Sequence, residues 1–295
     1  MIYDDCQARS GFNGGANVTA ALSRSLVERY EHDGYLAPLK VLDDAQVDRF
    51  RTAYDAYEAG LETQLAIVPP RDRYVFFAET HAFLPWAYEL ATDDHVLDAV
   101  ESLLGPDLLI WDSRWFTKRP GDATYVSWHQ DGTYWALDPP KVCTAWIALS
   151  RSFAGNGAMQ VVPRTHTAGQ LAHVDTFDEA NALARGQEIA VEVNDDDVVT
   201  LVLAPGEMSL HHIGVVHGSQ PNGSDESRIG FAVRYIAAEV KQGVDDTIAM
   251  LARGDDRYGN FDLLDPPKSS EESDIETKRS EVVARLYKNL LPDEG

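Results

Sequence analysis

Cysteine is scarce in this 295-residue chain: it has two, Cys6 and Cys143, far apart and in unlike surroundings. That excludes a disulfide framework and a cysteine-based zinc site, and it fits a reducing cytoplasm. Positive charge is also short, with 25 Lys and Arg against 48 Asp and Glu, a formal net charge of −23. So negative a chain repels phosphate backbones and anionic bilayers, which argues against nucleic-acid or membrane partners. No apolar run approaches the ~18 residues that a membrane-spanning helix needs. The opening stretch, MIYDDCQARSGFNGG, has acids where a secretory signal needs a basic and then an apolar region. Residues 1–22 are therefore expected to be a loose polar leader. Internal repeats are absent, and no composition break is sharp enough to divide residues 23–295 into two domains.

What is present is ordinary for a globular protein, 44% hydrophobic and 25% charged. Apolar residues three and four apart predict helices over 23–36 and 43–65, the second opened by Asp43 and Asp44. The same pattern predicts a helix over 93–105, capped by Asp93 or Asp94 and stopped by Gly105. After Gly105 the texture changes to short runs of β-branched and aromatic residues, at 107–118, 142–150, 158–163, 197–212 and 228–236. A short helix over 178–186 and an amphipathic one over 280–291 are also expected, with a polar, exposed stretch, DPPKSSEESDIE, before the latter. Helices first and then a β core predict an α+β fold, with a helical part over 23–105, a β-sandwich or barrel over 106–240 and a helical segment over 241–295.

The chemistry starts in SWHQDGTYW, residues 127–135. On a strand, residues two apart face the same way, so His129 and Asp131 could grip one ion from one side. A third ligand must come from elsewhere. Among nine histidines, the stretch 209–235 supplies His211, His212 and His217, and His217 lies 86 residues after Asp131. Two histidines and one carboxylate on one face leave three octahedral positions open, the facial triad of non-haem Fe(II) oxygenases. Zinc in a hydrolase accepts the same donors. Arg228, eleven residues after His217, could offer its planar fork to a carboxylate such as that of 2-oxoglutarate.

The stretches SWHQDGTYW, TAWIALS, NGAMQVVPRTH and PGEMSLHHIGVVHGSQPNGSDESRIGFAVRY, in that order, resemble the phytanoyl-CoA dioxygenase family of Fe(II)- and 2-oxoglutarate-dependent oxygenases. The likeness covers roughly residues 25–240, and is nearest the branch that hydroxylates aminoalkylphosphonates. It implies a double-stranded β-helix, a cupin-like jelly-roll core with flanking helices. It implies His129, Asp131 and His217 as iron ligands, with O2 and 2-oxoglutarate as co-substrates. Arg228 would hold the distal carboxylate of 2-oxoglutarate with Ser219, while Trp135 and His211 would line the co-substrate; an aromatic such as Phe is more usual at position 211. Family halogenases have a small residue in place of the carboxylate, so Asp131 favours hydroxylation. A catalytically silent jelly-roll that binds a metal or a small acid is the competing reading.

The segment SRWFTKRPG, 113–121, carries Arg114, Lys118 and Arg119 with no acid. Alternation puts Arg114 and Lys118 on one face and Arg119 on the other. Together with the ring faces of Trp115, Tyr134 and Trp135, which could contact an ammonium, this patch predicts a small zwitterionic substrate, an amino acid or aminophosphonate. A natural-product intermediate is the alternative.

Overall fold

In the computed structural model, residues 16–17, 21–133, 135–183, 185–244 and 247–290 are described; the expected leader and Tyr134 fall wholly or largely outside them. The chain begins with β1 (Ala16–Asn17), α1 (Arg24–Asp33), β2 (Tyr35–Lys40), α2 (Asp44–Gly60) and α3 (Glu62–Ile67). After two 3-10 turns come α4 (Pro85–Ala91), α5 (Asp94–Leu104), β3 (Leu108–Lys118) and β4 (Val126–His129). Next are β5 (Leu137–Asp138), β6 (Val142–Ala148), β7 (Met159–Val162), β8 (His173–Asp175), β9 (Gln187–Ile189) and β10 (Val199–Thr200). The remainder is β11 (Glu207–His212), β12 (Val216–Ser219), β13 (Arg228–Ala237), β14 (Lys241–Gln242), β15 (Ile248–Arg253), β16 (Asp262–Leu263) and α6 (Glu272–Leu290).

Two sheets make the jelly-roll core. The larger has the order β1-β2-β11-β6-β13-β3-β15-β16, and the smaller β10-β7-β12-β4. The α+β class expected from the sequence is the one found. The helices cover the outer face of the large sheet: Phe50 and Tyr54 of α2, Leu90 of α4, and Val96 and Val100 of α5 pack with Leu108, Ile110, Ala145, Ile147, Phe231, Val233 and Tyr235. Fully burying one such large side chain stabilises by roughly 1.5–3 kcal/mol. The central strands are therefore buried on both faces, and β13 has no exposed residue along its length.

Several expected boundaries move. The first helix stops at Asp33, because Gly34 takes a left-handed φ of 81° and closes it by donating to the Tyr30 carbonyl at 2.8 Å. The next residues form β2 beside β11, so the helical part also contributes a strand. The segment 197–212 is two strands; Pro205, which has no N–H for a ladder, lies in the turn between them. No helix forms among the described residues of 178–186. Side chains take over the local amides there, Asp178 accepting from Ala180 N–H at 2.9 Å and Asn181 from Leu183 N–H at 3.1 Å, and a turn joins β8 to β9. Beyond residue 240 the chain is not simply helical, since β15 extends the large sheet against β3. Helix α6 starts at Glu272, eight residues before the expected start at 280 and inside the polar stretch DPPKSSEESDIE.

Candidate metal centre

The small sheet builds the triad. His129 ends β4 and pairs across the ladder with His217 of β12, and their ring centroids are 4.1 Å apart. Asp131 is not on the strand: it opens a 3-10 turn, Asp131–Thr133. The shared face therefore comes from that turn and not from strand alternation. The turn is fastened by Gly132 N–H to the Ile213 carbonyl at 3.2 Å. Gln130, fully buried between the two ligands, donates from Nε2 to the carbonyls of Gly169 (3.0 Å) and Gly214 (2.7 Å), and its Oε1 accepts from Leu171 N–H (2.8 Å) and Gln170 (3.0 Å). Sequence reading passed over Gln130, although a polar residue between two expected ligands was a signal. Removing groups that orient metal ligands typically costs 10–100-fold in metal affinity. Gln130→Ala is expected to fall within about that range, measured by anaerobic Fe(II) titration; unchanged affinity would show that the turn holds without it.

The three side chains are buried, and one donor atom from each lies within 4.8 Å of the others. Asp131 Oδ1 is 3.3 Å from His129 Nε2 and 3.9 Å from His217 Nε2. Both imidazoles turn Nδ1 to a backbone carbonyl, His129 to Ser127 at 2.9 Å and His217 to Val215 at 3.0 Å. Those bonds require N–H on Nδ1 and leave the Nε2 lone pairs facing Asp131, the tautomer a metal needs. Burial raises the Asp131 carboxyl, but His217, His129 and His211 outweigh it and hold it well below the usual range. Burial, then His129, holds His217 well below its ordinary value. An ionised Asp131 beside a neutral His217, and an Asp131 Oδ2 that is buried with no hydrogen-bond partner among the described residues, fit a divalent cation.

A cavity of ≈ 50 Å³ opens from the triad between the sheets, with Trp146, Met159, Leu183 and Val126 among its apolar walls. Arg228 and Ser219 border it, with Lys118 beside them. The guanidinium of Arg228 donates to the Gly157 carbonyl and lies 5.4 Å from the Trp146 ring, and its Nε is unpartnered among the described residues. Gly230 makes room for Trp146; a Cβ there would come within 1.9 Å of the indole.

The sequence-expected patch separates. Lys118 is buried and donates to Ser219 Oγ at 2.9 Å, so it stands at the Arg228 end. Arg114 donates to the Ala182 carbonyl at 3.1 Å, and Arg119 pairs with Glu58 on the far side. Trp115 does not line the cavity. It points into the helix-side core, stacked on Phe231 at 4.3 Å and bonded to Thr80, as the alternation that turns Arg114 inward requires. Trp135, expected along the co-substrate, packs on Trp111 at 4.9 Å and stands behind Arg234. His211 does line the cavity, its Nε2 3.7 Å from Asp131 Oδ2. Arg234, not singled out by the sequence, lines it too.

A jelly-roll carrying a buried His–Asp–His face that opens into a cavity between its sheets has the fold and site of the non-haem iron oxygenases. The sequence model of the phytanoyl-CoA dioxygenase (PhyH) family matches residues 30–230. The chain belongs to that family of Fe(II)- and 2-oxoglutarate-dependent oxygenases. It is similar to a probable alpha-ketoglutarate-dependent hypophosphite dioxygenase of Stutzerimonas stutzeri, 27% identical over 62% of this chain and 61% of that protein. It is also similar to the ectoine dioxygenase of Streptomyces avermitilis, 25% identical over 52% of this chain and 55% of that one. The match thus spans less than two thirds of either relative's length. Among solved structures, the apo form of the non-heme monooxygenase ThoJ superposes with a TM-score of 0.78 at 31% identity, covering 90% of this chain and 96% of that one. No described helix is long and apolar enough to cross a membrane.

Proposed function

We propose that this chain hydroxylates an unactivated C–H bond of a small polar, zwitterionic molecule of amino acid or aminophosphonate type, using Fe(II), 2-oxoglutarate and O2. The observation that carries the reading is one cavity holding the His129–Asp131–His217 face and, at one end, the buried Arg228 and Ser219, with the Lys118 amine bonded to Ser219. The three ligands would hold the iron. Arg228, Lys118 and Ser219 would hold the distal carboxylate of 2-oxoglutarate, which matches a planar fork with a second donor beside it. Bound iron with its co-substrates supplies the oxidant for the C–H bond, and succinate and CO2 are the by-products. The protein contributes position and dryness: the strands fix both imidazole tautomers, and Trp146, Met159, Leu183 and Val126 keep water from the site. Two relatives named for hypophosphite and ectoine, an oxyanion and a small zwitterion, support a substrate of this size and polarity.

The test is a screen of amino acids, betaines and aminophosphonates for substrate-triggered succinate formation with Fe(II) and 2-oxoglutarate. The expected product is hydroxylated and unchlorinated even in high chloride, because Asp131 takes the coordination site a halide would need. Stimulation by acyl-CoA thioesters, carrier-bound substrates or uncharged terpenoids alone would sink the substrate class and leave the iron chemistry standing. Chlorinated product would sink the assignment of Asp131.

A further inference from the structure

One polar row on the inner face of the large sheet supplies no member of the triad and lies away from the Arg228 pocket. Asp112 of β3, Arg234 of β13, Thr144 of β6 and His211 of β11 are successive cross-strand partners. Arg234, Thr144 and His211 line the cavity beside Asp131. All three are more than nine-tenths buried, and each has an atom with no hydrogen-bond partner among the described residues: Arg234 Nε, Thr144 Oγ1 and His211 Nδ1. Buried polar atoms are nearly always paired. Three orphans side by side on one wall of a cavity point to a polar group that belongs there.

The neighbouring charges give that group its sign. Arg234 is ion-paired with Asp112, and that pair alone is neutral. Glu79 adds no charge, because burial, and then its contact with Asp112, raises its carboxyl well above the usual range and keeps the proton on it. Arg114 lies two residues along β3 from Asp112. It makes no ion pair among the described residues; its fork donates to the neutral Ala182 carbonyl and sits between the rings of Tyr74 (5.5 Å) and Phe116 (5.0 Å). Asp131 is the second carboxylate facing Arg234; a cation bound by the triad would take up its charge, leaving two guanidiniums against Asp112 alone, an excess of one positive charge at this end. Arg234 itself is held between Trp135 and Phe116, 5.4 and 5.8 Å from their ring centroids, so its fork is preset. Arg228 is six residues away on the same strand and face, roughly 20 Å between Cα atoms. The cavity therefore has a guanidinium at each end and the triad between them.

We propose that Arg234, with Thr144 and His211, binds an oxyanion group of the substrate, a carboxylate or phosphonate, at the end of the cavity opposite Arg228. The proposal rests on the oxygenase reading above, and it places His211 with the substrate instead of the co-substrate. Arg114 supplies the second positive charge and, through the Ala182 carbonyl, ties to β3 the segment whose Leu183 lines the cavity.

The experiment is calorimetric binding to the Fe(II)-loaded protein without oxygen. The probes are 2-aminoethylphosphonate, glycine betaine and 2-aminoethanol, which lacks the oxyanion, with 2-oxoglutarate titrated separately. At least one oxyanion probe is expected to saturate the parent, and 2-aminoethanol is not. Arg234→Gln is expected to weaken that probe at least tenfold and to change 2-oxoglutarate binding less than threefold; Arg228→Gln is expected to do the reverse. Because Arg234→Gln strands the buried Asp112, the double variant Arg234→Gln, Asp112→Asn removes both charges and repeats the measurement in a neutral background. The proposal is overturned if neither oxyanion probe binds the parent, if both variants retain the probe, or if they lose 2-oxoglutarate in its place. Oxyanion binding that follows Arg234 in a protein forming no succinate would overturn the oxygenase reading and not this one.

Discussion

His217→Ala is expected to lower Fe(II) affinity by more than about 100-fold, beyond the 10–100-fold typical of groups that only orient ligands, and to abolish iron-dependent succinate formation. The imidazole is the cross-strand partner of His129, and its Nδ1 proton is committed to Val215, so nothing adjacent can replace its Nε2. His211 is the nearest alternative donor, its ring 4.7 Å from that of His217. It stands on the other sheet and on the Oδ2 side of Asp131, while His129 and His217 share the Oδ1 side. Anaerobic addition of 2-oxoglutarate to the Fe(II)-loaded parent is expected to give a weak visible charge-transfer band that the variant lacks. Iron binding and turnover equal to the parent's would remove His217 from the site.

Arg228→Gln is expected to raise the 2-oxoglutarate requirement at least tenfold, since breaking a buried charged pair costs about 2–5 kcal/mol and each 1.4 kcal/mol is roughly tenfold. Lys at 228 should restore little, because an ammonium cannot present two parallel donors. A pH dependence accompanies this site. Burial, and then Arg228, brings the Lys118 ammonium down to about 7, with Asp122 opposing. Above that pH the free protein holds Lys118 neutral, so binding the co-substrate's carboxylate must draw a proton onto it, and affinity is expected to fall as pH rises from 7. The folding contribution has the opposite sense. The unfolded chain holds this proton up to about pH 10, so between 7 and 10 it binds more protons than the folded state, and stability from this group rises with pH. Calorimetry in buffers of different ionisation enthalpy reads the proton uptake; a 2-oxoglutarate affinity independent of both Arg228 and pH would move the pocket elsewhere.

The triad was legible because His129 and Asp131 are close in sequence and histidines are few, so the third ligand had few candidates. Arg234 was not legible. One arginine within a run of apolar strand residues reads as a surface charge. Its side chain faces the cavity by alternation from Arg228, and its carboxylate partner reaches it only because β3 and β13 slip register at Arg234/Tyr235, leaving Trp111 unpaired between Ile110 and Asp112. A bulge of one residue reverses the alternation beyond it. Ile110 thus faces the helices while Asp112, two residues on, meets Arg234. Strict alternation from Leu108 would have turned Asp112 toward the helix layer and left Arg234 without its carboxylate.

The sequence by itself determined the period of each long element, hence the α+β class, and the residue types of an oxygenase metal face. Those depend on local chemistry: apolar spacing, caps such as Asp43 and Asp93, and donors a few residues apart. The tertiary structure decided which face each polar side chain took and what it met there. It sent Trp115 into the core, moved Lys118 to the Arg228 end, and set Arg234, Thr144 and His211 in one row from three strands. Register and bulges join residues far apart in the chain, and the free energy that fixes them lies in contacts between strands, which local spacing does not carry.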